Sequence, residues 1–208
     1  NNLDFRISHR FGNVYNTDDL NPLNEAAHSY FGFDNANDIR WSFDYGVTDN
    51  LTIGIGRSRF RETYDGSIKW KLLSQKENFK IPVSVTLFLD MGYTSMKPEL
   101  MYAGIVKDFE TNELHRFNYF SQLIIASKLS SWLSLEILPS YLHRNFVSQR
   151  INENGLAEDQ NGLFSLGIGG RIKLTKRMCL IADYFYNFDP FYVNNPSAFN
   201  PLAIGFEM

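Results

Sequence analysis

Apolar and polar side chains take turns along ten separate segments of this chain, and no other property restricts the fold so tightly. Successive side chains of a strand point to opposite faces, so alternation of this kind produces one apolar face and one polar face. The apolar rows begin Leu3, Phe5, Ile7, then Ile39, Trp41, Phe43, Tyr45, then Leu51, Ile53, Ile55, then Ile68, Trp70, Leu72. The fifth row is the longest: Phe79, Ile81, Val83, Val85, Leu87, Leu89, Met91, Tyr93. A sixth segment, 115–129, is less regular, with Asn118 and Gln122 on one face together with Ile124. Four more rows follow: Leu133, Leu135, Ile137, Tyr141; Phe164, Leu166, Ile168, Ile172; Leu180, Ala182, Tyr184, Tyr186; and Leu202, Ile204, Phe206. Helical periodicity is almost absent.

The stretch "YGVTDNLTIGIGRS" (Tyr45 to Ser58) shows what such rows require of their surroundings. Ile53 and Ile55 suit acyl chains, where an apolar side chain needs no packing partner of its own. Thr52, Gly54 and Gly56 suit a polar interior in which small residues leave room and let the strand coil. The sheet is expected to close, because open edges in hydrocarbon leave backbone groups unpaired at several kcal/mol each.

The joins between segments carry a second signal. "TDN", "SQKEN", "SSW" and "TKR" are short, whereas 12–37, 59–66, 95–114, 144–162 and 188–199 are long, and the two kinds alternate. Tight turns on one rim and long polar loops on the other match an outer-membrane barrel, with short turns periplasmic and long loops extracellular. Aromatic content is 15%, enough to supply girdles at both membrane surfaces. Tyr45 and Trp132 lie at short turns, and Tyr93, Tyr141, Tyr184 and Tyr186 lie near long loops. The competing explanation is the high strand propensity of Tyr and Phe.

Bulk numbers exclude several classes. A formal net charge of −3 leaves no basic footprint for nucleic acid, and the single cysteine, Cys179, excludes an internal disulfide framework or a cysteine-based zinc cluster. No run of about 18 apolar residues exists, so no transmembrane helix is expected. The chain opens on "NNLDFRISH" without a basic-then-apolar leader, so such a leader is either cleaved or precedes the numbering.

Parity assigns the side chains to faces. Asp4, Arg6, Arg40, Asp44, Lys69, Lys71, Asp90, Glu136, Arg171, Lys173 and Asp183 are expected to line the lumen, with Arg10, Asp38 and Glu207 on the same parity. Phe5, Ile7, Trp41, Phe43, Ile53, Ile55, Trp70, Val83, Val85, Leu87, Leu135, Ile137, Ile168 and Leu180 are expected to face lipid. The lumen charges are nearly balanced, so they either pair across strands and fill a narrow interior or line a constricted, weakly charged pore. The absence of a single-sign ring argues against a strongly ion-selective channel.

No catalytic, cofactor-binding or metal site is expected. Ser8 and His9 point to opposite faces, no "G-x-S-x-G" elbow occurs, and His28, His115 and His143 lack a serine at useful spacing. His28 with Asp18, Asp19, Glu25 and Asp34 forms an acidic loop without calcium-loop spacing. "GIGGR" (Gly167 to Arg171) and "GIGR" (Gly54 to Arg57) open no helix, so they are strand glycines rather than phosphate loops. Arg57 shares the parity of Ile53 and Ile55, and either reaches headgroups from the outer rim or turns inward at a bulge. Cys179 reads as a small apolar filler. "HSYFGFDNAND" (His28 to Asp38) is either a plug for the barrel mouth or a plain capping turn.

"YGVTDNLTIGIGRS" and "ETYDGSIKWKLL" also resemble segments of an uncharacterised family of Gram-negative outer-membrane β-barrels. In that family a "YG-x-TDNL" hairpin leads to a "G-x-GRS" strand end and then to "TYDG-x-x-K". "LGIGGRIKLTKRMCLIADYFYNF" is compatible, and the likeness covers about two-thirds of the chain. The resemblance implies a membrane barrel without established activity. It also implies a further hairpin ending in an aromatic residue, so truncation at Met208 and twelve strands in the intact protein are expected. The expected organisation is therefore an all-β chain, a single up-and-down antiparallel barrel over 1–208. The expected role is a non-enzymatic structural or accessory subunit of an envelope complex; the alternative is a narrow passive channel for small hydrophilic solutes. Outer-membrane lipids and other outer-membrane or periplasmic proteins are the expected partners, with no cofactor and no nucleic acid.

Overall fold

A computed structural model describes residues 2–11, 36–76, 80–102, 112–147, 149–152, 155–158, 160–188 and 200–207. Twelve strands occur among them: β1 (Leu3–Phe11), β2 (Ala36–Gly46), β3 (Leu51–Ser58), β4 (Thr63–Leu73), β5 (Ser84–Thr94), β6 (Phe117–Lys128), β7 (Leu133–Arg144), β8 (Gln149–Asn152), β9 (Gly155–Glu158), β10 (Gly162–Lys173), β11 (Cys179–Asn187) and β12 (Leu202–Glu207). Ten form one antiparallel meander in the order β1-β2-β3-β4-β5-β6-β7-β10-β11-β12, and β8 pairs with β9 as a separate hairpin. The ten rows legible in the sequence are the ten strands of the sheet. The β8–β9 hairpin lies inside the join read as the loop 144–162.

Cross-strand register keeps the two parities apart along the whole sheet. Asp4, Asp44, Gly54, Ser67 and Asp90 lie opposite one another on one face, and Phe5, Phe43, Ile55, Gly66 and Met91 on the other. The polar face is the sheltered one: Asp38, Ser42 and Ser140 are buried, whereas Ile55 is 66% exposed and Ile168 57%. Leu138, Leu163 and Cys179 are the buried apolar residues among those described. A water-soluble chain gains about 1.5–3 kcal/mol for each large apolar side chain it buries, and this fold forgoes that gain on its entire outer face. β1 and β12 are the two edges of the sheet, which is not closed.

Three turns share one construction. The amides of Val47 and Thr48 donate to Leu51 O, those of Leu129 and Ser130 to Leu133 O, and those of Leu174 and Thr175 to Met178 O, at 2.9–3.2 Å. In each, the hydroxyl of the second residue (Thr48, Ser130, Thr175) accepts from an amide two residues on, at 3.2–3.3 Å. The pattern is apolar–Ser/Thr–x–x–apolar, and the hydroxyl satisfies amides that the tight turn leaves outside the ladder.

The strict alternation of short and long joins fails at two places. β4 begins at Thr63, so the expected loop 59–66 is the tight turn 59–62. Arg61 and Glu62 adopt φ of 51° and 47° there, a left-handed pair unusual for residues other than glycine. Asp38 fixes its start by accepting from the Phe60 amide at 2.9 Å. Thr94 Oγ1 donates to Arg61 O, and the Ser95 amide to Glu62 O at 3.1 Å. Conversely, β5 begins at Ser84 rather than Phe79, so the expected short join 74–78 becomes 74–83. Pro82 is the physical reason, since it has no N–H for a ladder. Val83, expected to face lipid, therefore lies in this join. The ends of the other joins shift by no more than two residues.

Candidate functional site: the polar wall and its rims

All eleven residues expected to line the lumen share the polar face, because each lies in register with another polar-face position. Every residue expected to face lipid, apart from Val83, lies on the opposite parity of its strand. Arg10 is in register with Asp38, and Glu207 falls on the polar parity by register with Cys179. His28, the acidic residues around it and most of the "HSYFGFDNAND" segment lie outside the described residues.

Three ion pairs bridge strands of the polar wall. Arg40 clasps Asp65 two strands away with both Nε and Nη2, the Nε donating to Oδ1 at 3.2 Å. Lys69 Nζ lies 3.6 Å from Asp44, and Arg171 Nε donates to Glu207 at 2.7 Å. Asp38 accepts from Ser58 Oγ at 2.9 Å. Glycines make room for these side chains. A Cβ on Gly56 would stand 2.6 Å from Asp65 Oδ2, and one on Gly169 would stand 2.6 Å from Glu136 Oε1. The glycine runs are thus slots in which neighbouring side chains lie flat against the wall.

Apolar side chains are interspersed on the same wall. Phe88, Phe120 and Ile124 come inward from β5 and β6, and Leu138, Leu163 and Phe185 from β7, β10 and β11. Phe88 and Phe120 meet edge to face at 6.0 Å, and Lys69 lies 5.8 Å from the Phe88 ring. Gln122 Nε2 donates to Ser140 Oγ at 2.9 Å, which in turn donates to Leu138 O at 3.0 Å. Asp65 escaped the sequence reading because it fell in the supposed loop 59–66. Counting parity back from Lys69 through Ser67 would have found it.

The rim bearing the long loops holds a cavity of about 530 Å³, lined among others by Ser58, Arg61, Thr94, His115, Arg116 and Arg144. Arg116 straps it, donating to Thr94 O at 3.1 Å and Met96 O at 2.8 Å and pairing with Glu113 at 3.0 Å. His115 Nδ1 stands 3.4 Å from the Tyr102 hydroxyl, whereas His9 and His143 lie on the outer face. The described histidines are therefore dispersed. Among the described residues no group of three or more His, Cys, Asp or Glu is placed to hold a metal ion.

Outside, aromatic rings gather beside the same rim. Tyr93 meets Phe117 at 5.2 Å, Tyr141 meets Phe164 at 4.5 Å, and Tyr186 meets Phe188 at 5.4 Å. Tyr184 sits one outward position deeper than Tyr186. Tyr45, Trp70 and Trp132 occupy the opposite end. Arg57 stays outward, since β3 keeps its register with β2 and β4, and its guanidinium lies 4.5 Å from the centre of the Tyr64 ring. Cys179 is buried on the inner face at the start of β11.

An up-and-down antiparallel sheet with a greasy exposed outside, a sheltered polar inside and aromatic rings near both ends defines a membrane β-barrel protein. The chain belongs to the family described as Membrane bound beta barrel domain (DUF5777), whose family model matches residues 1–208. That description carries a membrane location and no activity. No curated protein matches the chain.

Proposed function

We propose that this barrel resides in the outer membrane as a non-enzymatic structural or accessory subunit of an envelope complex, with its long loops extracellular. One observation carries the reading: Arg40–Asp65, Lys69–Asp44 and Arg171–Glu207 are ion pairs on the inner wall, each reaching across an intervening strand, and Phe88 and Phe120 add an apolar contact on the same wall. Charges engaged in such pairs are less available to coordinate a passing ion. The long joins on one rim and the lipid-facing wall then remain as surfaces for other envelope proteins.

Reconstitution into planar bilayers tests this against a narrow solute channel. Folded protein, identified by a mobility difference between unboiled and boiled samples, is expected to give no reproducible single-channel conductance. Extraction in mild detergent is expected to bring down a stoichiometric partner. Stable conductance steps from a lone monomer would replace this reading with that of a passive channel.

A further inference from the structure

A lone arginine interrupts the outer face. Among the described residues of the ten-stranded sheet, Arg57 is the single Lys, Arg, Asp or Glu on that face. It stands beside a groove of about 730 Å³ whose lining includes Trp41, Phe43, Ile55 and Tyr64, with Arg59 at the rim end; Asp65 also borders it, its carboxylate held by Arg40 on the inner wall. Gly66, in register with Ile55 and Met91, adds no side chain alongside. A Cβ there would meet nothing within 4 Å, so close packing does not require this glycine. The Arg59 amide donates to Ile39 O at 3.1 Å, which ties the turn to the end of β2. Among the described residues neither guanidinium meets a carboxylate, whereas Arg6, Arg40, Arg116 and Arg171 each have one.

A guanidinium is costly against hydrocarbon unless it reaches the headgroup layer, and its flat array of N–H donors matches phosphate oxygens. Stacking on Tyr64 holds Arg57 at the upper end of an open apolar trough. We propose that this groove is a binding site for a lipid with an anionic phosphate headgroup. One acyl chain would lie along Trp41, Phe43 and Ile55, and the phosphate would sit between Arg57 and Arg59. The inference rests on the membrane location of the family and not on the accessory role, so a conducting barrel would leave it intact.

Trp41 reports directly on the site. In a Trp70→Phe/Trp132→Phe background reconstituted in phosphatidylcholine vesicles, brominated phosphatidylglycerol is expected to quench Trp41 with about tenfold preference over brominated phosphatidylcholine, a ratio typical of one charged contact. Arg57→Ala/Arg59→Ala is expected to abolish the preference while the unboiled gel band keeps its mobility. Lys176→Ala, on the opposite rim, is expected to leave it unchanged. Gly66→Leu, which adds a side chain beside Ile55, is expected to weaken binding severalfold and shows whether the chain seat matters. Equal quenching by both lipids, or an unchanged preference in the folded double arginine variant, overturns the proposal. Loss of the preference on adding millimolar inorganic phosphate also overturns it, by assigning the arginines to a free anion.

Discussion

Replacing Ile168 with arginine separates a bilayer-facing wall from a water-facing one by sign as well as size. Ile168 is the seventh of the twelve residues of β10, and it lies between Ile137 and Tyr184 on the outer face. Twelve residues rise about 40 Å and, at a tilt of about 45°, cross about 28 Å, so Ile168 falls near the midplane. Arginine there is expected to cost about 2–4 kcal/mol in a bilayer. In water, the same exposed position would tolerate arginine within about 0.5 kcal/mol. The measurement is reversible unfolding by denaturant in phospholipid vesicles, followed by tryptophan emission and by the unboiled gel band. Ile172→Arg, closer to the short-turn rim, is expected to cost about 0–1 kcal/mol, the lower cost seen near an interface. Equal stability of Ile168→Arg and the parent protein would refute the assignment of faces.

Other expectations follow from the inner wall and the turns. Arg40→Met strands the sheltered Asp65 carboxylate and is expected to cost about 1–3 kcal/mol, with Arg40→Met/Asp65→Leu recovering part of the loss in a double-mutant cycle. Additive losses would deny the coupling. Gly56→Val pushes a side chain into the space of Arg40 and Asp65 and is expected to destabilise by about 1–3 kcal/mol in equilibrium unfolding. If the variant is neutral, those side chains swing freely in a wide lumen. Thr48→Ala, Ser130→Ala and Thr175→Ala each remove an acceptor from a turn and should each lower stability by about 0.5–1.5 kcal/mol in the same unfolding assay. Serine replacing either threonine should restore it.

Period two made the faces legible because membrane strands see two uniform environments, and parity alone sorts them. Asp90 and Met91 needed no tertiary knowledge to be assigned to opposite sides. The strand starts were harder. "TYDGS" looks like a loop because its outward positions are Tyr64 and Gly66, and Gly66 adds nothing to an apolar row. Pro82 was the opposite case: the row from Phe79 to Tyr93 continues across a residue that cannot donate to a ladder. Phe88, Phe120 and Phe185 escaped notice because hydrophobicity assigns greasy residues outward by default, whereas these fill the wall from within. The outer groove was only half legible. Arg57 stood out by parity, but the room beside Gly66 and the convergence of Arg59 depend on the turn 59–62.

Every strand of the large sheet is hydrogen-bonded to the strand that precedes or follows it, with only the small β8–β9 hairpin intervening between β7 and β10. Contact order within the meander is therefore low, and each ribbon can zip as soon as its turn forms. A seam closing the sheet at the β1 edge is the one pairing that would have to bring distant parts of the chain together. Assembly would then proceed ribbon by ribbon, leaving two exposed edges until that late step, and any factor assisting it would act chiefly at those edges.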